Sequence, residues 1–193
     1  CGTFPRQLSK GGVMRSIELL MEEHDQILRF LDLLERTRVE LRNSGPATDG
    51  FKQWAVDFIV DYADRSHHSK EEDCLFPLLE QRGIPNQGGP IGMMLHEHNT
   101  GRQWVQRMRD AVGQSEAMDL EFADAAAKYI ALLRQHIAKE NEILYPMGMQ
   151  AMNEEDDTHL LSQFNLASAK NAPGLPNESF IWELDEWEKK LNS

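Results

Sequence analysis

Cysteine is nearly missing from this chain: 193 residues hold only Cys1 and Cys74. Two thiols make no disulfide framework, and Cys74 falls in an apolar helical stripe, so a reduced, cytoplasmic thiol is expected. Long apolar runs are lacking too. They extend over only a few residues, as at Ala125–Ala127, far short of the roughly 20 that span a bilayer. Nothing at the N-terminus has the pattern of an uncleaved secretory signal or a transit peptide, and a start at Cys rather than Met fits a processed or trimmed end. Positive charge is in deficit, 20 basic against 32 acidic side chains for a net −12, which disfavours nucleic acid and anionic membrane surfaces as partners. Most of that excess reads as solvated surface, notably Glu154–Asp157 and Glu183–Glu188. Alternation of period two is absent over any useful length, so no strand is expected.

What remains is helical periodicity nearly throughout. Met14, Ile17, Leu20, Met21, Ile27, Leu28, Leu31 and Leu34 recur at spacings of three and four, predicting a helix over about 13–42. Asn43-Ser-Gly-Pro46 stops it. Similar stripes predict helices over about 49–81, 91–112 and 115–147, with Gly88-Gly-Pro90 and Gly113 at the turns. Pro77 and Pro146 fall near the ends of the second and fourth, where they are expected to kink or stop the helix. An all-α, up-down four-helix bundle over 13–150 follows, with an N-terminal extension (1–12) and a C-terminal helical extension (151–193). The extension holds a polar helix over 154–170, a linker at Asn171–Pro176 and a last amphipathic segment with Trp182 and Trp187. That segment is read first as a tail helix packed on the bundle, and second as a homodimer or protein-partner element.

The most informative feature is internal. His67-His-Ser-Lys-Glu71-Glu-Asp-Cys-Leu-Phe-Pro77 lies over His136-Ile-Ala-Lys-Glu140-Asn-Glu-Ile-Leu-Tyr-Pro146 without a gap. Upstream, Glu23-His24-Asp25 pairs with Glu97-His98-Asn99. The chain therefore reads as two copies of a helix pair, one helix carrying Glu-His and the next His-x-x-x-Glu. Residues four apart share a helix face, so each His and Glu project to one point. Two such pairs plus His24 and His98 give six inward ligands, and bridging carboxylates favour two metals held close together.

All six fall on the apolar stripes of their helices. A lone His there is more often a hydrogen-bonded core residue than a ligand. Buried Glu71 and Glu140 differ, because an unpaired carboxylate in a core needs a counter-charge, and only Arg102 lies near the same stripes. Two divalent cations would supply it. His68 is one residue off the stripe, about 100° around an α-helix, and the repeat pairs Lys70 with Lys139 and Pro77 with Pro146, which selects His67. His68 is kept as the reserve ligand, and His96 and His159 as surface or supporting residues.

With these motifs in place, residues 13–150 resemble the hemerythrin-like, or HHE cation-binding, family. The resemblance implies a left-handed bundle around an oxo- or hydroxo-bridged di-iron centre, two iron ions, with manganese or zinc less favoured. Oxygen-carrying hemerythrins have a fifth histidine one turn before the ligand on the third helix, where this chain has Met94, and an Asp five residues past the last His, where this chain has Glu140 four residues past His136. The set is more similar to the bacterial branch that includes proteins linked to repair of damaged iron–sulfur clusters, and others with nitric-oxide or peroxide activity. The repair members carry a separate N-terminal segment with a Cys pair, which these 193 residues lack.

The functional expectation is a protein that binds or reacts with oxygen, nitric oxide or peroxide in redox or nitrosative stress, with peroxidase-, catalase- or nitric-oxide-reducing chemistry compatible. A non-enzymatic oxygen or iron sensor signalling through the C-terminal helix is the alternative, with iron storage beside it. Tyr129 and Tyr145 lie near the ligands of the fourth helix; packing is their default role, and hydrogen bonding or electron donation to a bound oxygen species their sharper one.

Overall fold

Glycine and proline set the corners of the chain. Gly83 and Gly113 take φ values of +92° and +72°, the left-handed conformation that lets a helix end without a Cβ penalty. Pro90 opens the helix that follows, at a position whose N–H has no partner to lose. The structure, a computed structural model, describes residues 14–42, 50–113, 116–171 and 177–191. Within them lie six helices and no strand: α1 (Arg15–Arg42), α2 (51–81), α3 (Pro90–Ala111), α4 (116–151), α5 (Glu154–Asn171) and α6 (Asn177–Lys190). The first four form the up-down bundle that the periodicity predicts. The extension expected over 1–12, the stop at Asn43–Pro46 and the linker from 172 to 176 lie outside the described residues.

Two helices depart from α-helical winding. In α2 the π-helical stretches Phe58–His68 and Glu71–Leu75 precede the α-helical turn Phe76–Gln81. In α4 the shorter π-helical stretch Glu140–Leu144 precedes Tyr145–Ala151. Pro77 and Pro146 follow these widened turns directly, and neither ends its helix: α2 runs on to 81 and α4 to 151. Of the two outcomes expected, a kink or a stop, the stop does not occur. A turn that already bonds five residues back has relaxed the ladder that proline would break.

The bundle interior is two apolar clusters with a polar layer between them. One is built on residues such as Phe30, Phe58, Phe122 and Tyr129; the other on Leu20, Leu75, Phe76, Met94 and Tyr145. His24, His67, Glu71, His98, His136 and Glu140 are all buried at the level where the clusters part. Each end of the bundle is closed by the C-terminal extension. Leu160 and Phe164 of α5 enter the second cluster, and Asp157 caps α1 from afar by accepting from the Arg15 and Ser16 backbone N–H groups at 3.1 and 2.9 Å. Helix α6 lays Phe180, Leu184 and Trp187 on the first cluster, with Trp187 against Phe51 and Trp54. The Trp54 indole donates to Glu183 at 2.8 Å, and Arg29 bridges Asp185 and Glu188. The tail is therefore packed on the bundle, while Trp182 stays 65% exposed. Among the described residues no helix is long and apolar enough to cross a membrane.

Candidate metal centre

Five imidazoles meet in the polar layer, and each is tethered in the same way. Nδ1 of His67 donates to Glu23 at 2.9 Å, of His98 to Glu72 at 2.7 Å and of His136 to Glu97 at 3.1 Å. Nδ1 of His24 donates to the Asn141 amide oxygen at 2.8 Å, and of His68 to Asp64 at 3.2 Å. With Nδ1 held in this way, the Nε2 edge of each ring has a fixed direction, the arrangement that prepares histidine for a metal, and Nε2 of His98 and of His136 lie 3.0 Å apart. Sequence reading missed the tethers, apart from marking Glu23 and Glu97 as part of the repeat.

The Nε2 atoms close on two carboxylates. Glu71 Oε2 lies 3.7 Å from Nε2 of His67 and 3.5 Å from Nε2 of His98. Glu140 Oε2 lies 3.2 Å from Nε2 of both His24 and His136. Both carboxylates are fully buried, yet Glu71 Oε2, both Glu140 oxygens and His67 Nε2 make no hydrogen bond. Buried polar atoms without partners cost about 1–3 kcal/mol each. Four in one layer, close together but not bonded to one another, form a set that a cation would satisfy. His24, His67, Glu71 and Glu140 make one set able to hold a metal ion; His68, Glu71, His98 and His136 make a second. Glu71 belongs to both.

The electrostatics say the same. Burial and the neighbouring Glu140 push the Glu71 carboxyl well above its ordinary range. Burial drives His67 and His98 well below theirs, so they stay neutral and able to ligate. At His136 burial opposes the charged form, but Glu140 and Glu97 outweigh it and raise the group to about 9. A metal on Nε2 would take that proton's place.

His68 is where structure and repeat part company. The repeat left it as a reserve, one residue off the stripe; in the structure it is buried, and its ring stacks on His98 with centroids 3.9 Å apart. The cause is the π-helical winding of Phe58–His68. With more than four residues in a turn, neighbours are separated by less than an α-helical step, and two consecutive histidines both reach the interior. Met94 packs in the second apolar cluster and enters neither set. Tyr145 donates to Glu71 Oε1 at 2.6 Å, with its oxygen 3.4 Å from His24 Nε2. Tyr129 is buried, and its hydroxyl has no partner. His96 and His159 are exposed, as expected.

Superposing the two halves by the repeat isolates three differences around this layer. His68 corresponds to Ile137, Glu72 to Asn141 and Phe76 to Tyr145. The extra imidazole and the extra acid serve the set built on His98, while the amide and the phenol serve the set built on His24. Each exchange was legible in the aligned blocks, but its consequence depended on which helices face each other.

Comparison with known proteins agrees with this architecture. The model of the Hemerythrin HHE cation binding domain matches residues 15–148. An uncharacterized protein of Mycobacterium tuberculosis is 28% identical over 182 residues, covering 90% of this chain and 69% of its own length. An iron-sulfur cluster repair protein of Edwardsiella ictaluri is 32% identical over 91 residues, 44% of this chain and 41% of that protein. One from Neisseria gonorrhoeae is 30% identical over 105 residues, 50% of this chain and 67% of that protein. No solved structure matches.

Proposed function

This chain belongs to the hemerythrin HHE cation-binding family, and from that premise we propose that it holds two iron ions and acts on small oxidants such as oxygen, nitric oxide or peroxide during redox or nitrosative stress. The ligands in this reading are His24, His67, Glu71 and Glu140 for one iron and His68, His98, His136 and Glu71 for the other, with Glu140 placed to bridge through its contacts to His24 and His136. The observation that carries the reading is the pair of convergent sets sharing Glu71, with their buried oxygens unpartnered. Nitrogen and carboxylate donors suit iron, and manganese and zinc accept the same donors. Two irons held by these residues would supply one-electron redox chemistry each.

The protein's own share is positional. Carboxylate tethers fix the imidazoles, and the two buried glutamates offset cationic charge. Tyr145 holds Glu71 from the side of the set with two histidines and two carboxylates. The partial likeness to iron-sulfur cluster repair proteins supports a role in stress.

Metal analysis and absorption spectra of the iron-loaded, air-oxidised protein test this. Two irons per chain, with near-ultraviolet charge-transfer bands that shift on adding azide, nitric oxide or peroxide, are expected. Fewer than one iron per chain after loading, or bands indifferent to all three, would overturn it.

A further inference from the structure

Arg102 of α3 stands beside the polar layer and holds two acids at once. Its Nη2 lies 2.7 Å from Asp64 Oδ1 and donates to Glu72 Oε1 at 2.8 Å, while its Nε donates to Asp64 Oδ1 at 2.9 Å. The same two oxygens hold imidazoles. Asp64 Oδ1 accepts from Nδ1 of His68 at 3.2 Å, and Glu72 Oε1 from Nδ1 of His98 at 2.7 Å. The two rings stack on each other with planes 19° from parallel. One guanidinium, two carboxylates and two stacked rings therefore close a loop. Exposure falls along it, from 38% for the Arg102 side chain, through 28% and 24% for Asp64 and Glu72, to 7% and 0% for His68 and His98.

The other tethers are built differently. Glu23, which holds His67, pairs with Lys70, and Glu97, which holds His136, pairs with Lys139, one ammonium to one acid. His24 leans on the neutral amide of Asn141. The aligned repeat shows the contrast residue by residue: Asp64, His68, Glu72 and Arg102 stand opposite Leu133, Ile137, Asn141 and Leu28. The arginine and both of its acids belong to one copy alone, and they accompany the extra histidine. A planar fork of N–H groups grips two carboxylates in fixed directions, which a single ammonium does not.

We propose that Arg102 is a positioning residue: by tying Asp64 to Glu72 it locks the imidazoles of His68 and His98 as one unit, and so sets the affinity of the metal position they serve without affecting the other. The metal position rests on the function proposed above. The orientation of the rings is a property of the metal-free chain.

Anaerobic titration of the metal-free protein with Fe(II) against a chromophoric chelator tests this, read beside NMR of the imidazole N–H groups. Arg102→Leu, which copies Leu28 into α3, should weaken one of two iron-binding steps by about 10–100-fold, the range for the outer partner of a ligand, and leave the other within about twofold. The weakened step should be the one that His68→Ile also weakens. In the metal-free wild type the Nδ1–H signals of His68 and His98 should be protected from exchange. Arg102→Leu should remove that protection while His67 keeps its own. Arg29 supplies the control, since it bridges Asp185 and Glu188 of the tail helix at 36% exposure; Arg29→Leu should change neither readout. Should Arg102→Leu fail to fold, Arg102→Gln, which keeps the stem and loses the charge, carries the same test. Equal weakening of both steps, or ring protection unchanged, would overturn the proposal. A wild type that takes up no iron, with ring protection lost in the variant, would sink the di-iron reading and leave the positioning role standing. Two irons held by Arg102→Leu as tightly as by the wild type would do the reverse.

Discussion

Helices α2 and α4 carry the same His-x-x-x-Glu...Pro block, yet they deliver different chemistry to the same layer. In α2 the π-helical winding covers eleven residues before His68 ends it and resumes at Glu71; in α4 it covers only Glu140–Leu144. The consequence is one inward histidine from α4 and two from α2. The lysines of the block diverge as well. Lys70 pairs with Glu23 in the interior, its side chain 4% exposed, whereas Lys139 pairs with Glu97 at 35% exposure. Burial outweighs Lys70 and raises the Glu23 carboxyl; at Glu97 burial is outweighed by His136 and Lys139, and the carboxyl is lowered. A duplicated motif thus keeps its residue pattern while the surroundings of each copy set the charge and the number of histidines that face inward.

The comparison is broken most severely at the carboxylates common to both halves. Glu71→Ala should strip both metals, because Glu71 belongs to both sets, and Glu140→Ala should do likewise; metal analysis that finds two irons in either variant removes the bridging role. Next come the lysines. Lys70→Met leaves Glu23 buried without its cation and should cost about 3–5 kcal/mol in denaturant melts of the metal-free protein. Lys139→Met, half-open to water, should cost about 1 kcal/mol or less. Equal losses would show that the two tethers are equivalent after all.

A finer probe is His68→Ile, which copies Ile137 into the first block. It should weaken one of the two metals by a factor on the order of 10–100 or more, the range that even an outer partner of a ligand commands, and leave the other in place. Adding Met94→His to that variant tests whether an imidazole from α3 can substitute. Metal content unchanged by His68→Ile would return that residue to the reserve role that the repeat first gave it. The smallest effect belongs to Tyr145→Phe, which copies Phe76 into the second block. Glu71 Oε1 loses its donor, so stability should fall by about 1 kcal/mol while both metals remain, with a shifted absorption spectrum.

Much of this was open to reading without coordinates. Spacings of three and four located four bundle helices to within a few residues, and the position of the six repeat residues on apolar stripes foretold that all would be buried. What failed was reasoning that assumed ideal α-helical geometry. His68 was kept only in reserve because of a 100° step that the π-helical part of α2 does not take, and a stop was one of two outcomes expected at Pro77 and Pro146, where the ladder had already loosened. The tethers were hidden for another reason: Glu72 reaches His98 on α3, and Asn141 reaches His24 on α1, so no spacing along one helix reveals them.

By itself, then, the sequence determined the helices, the duplication and the residue types that can hold a metal, because these follow from local periodicity and from the cost of burying an unpaired carboxylate. The tertiary structure decided which histidines converge and how the surroundings of the two candidate sets differ. Those depend on helical winding and on which helices face each other, and both are settled only when the four faces pack together.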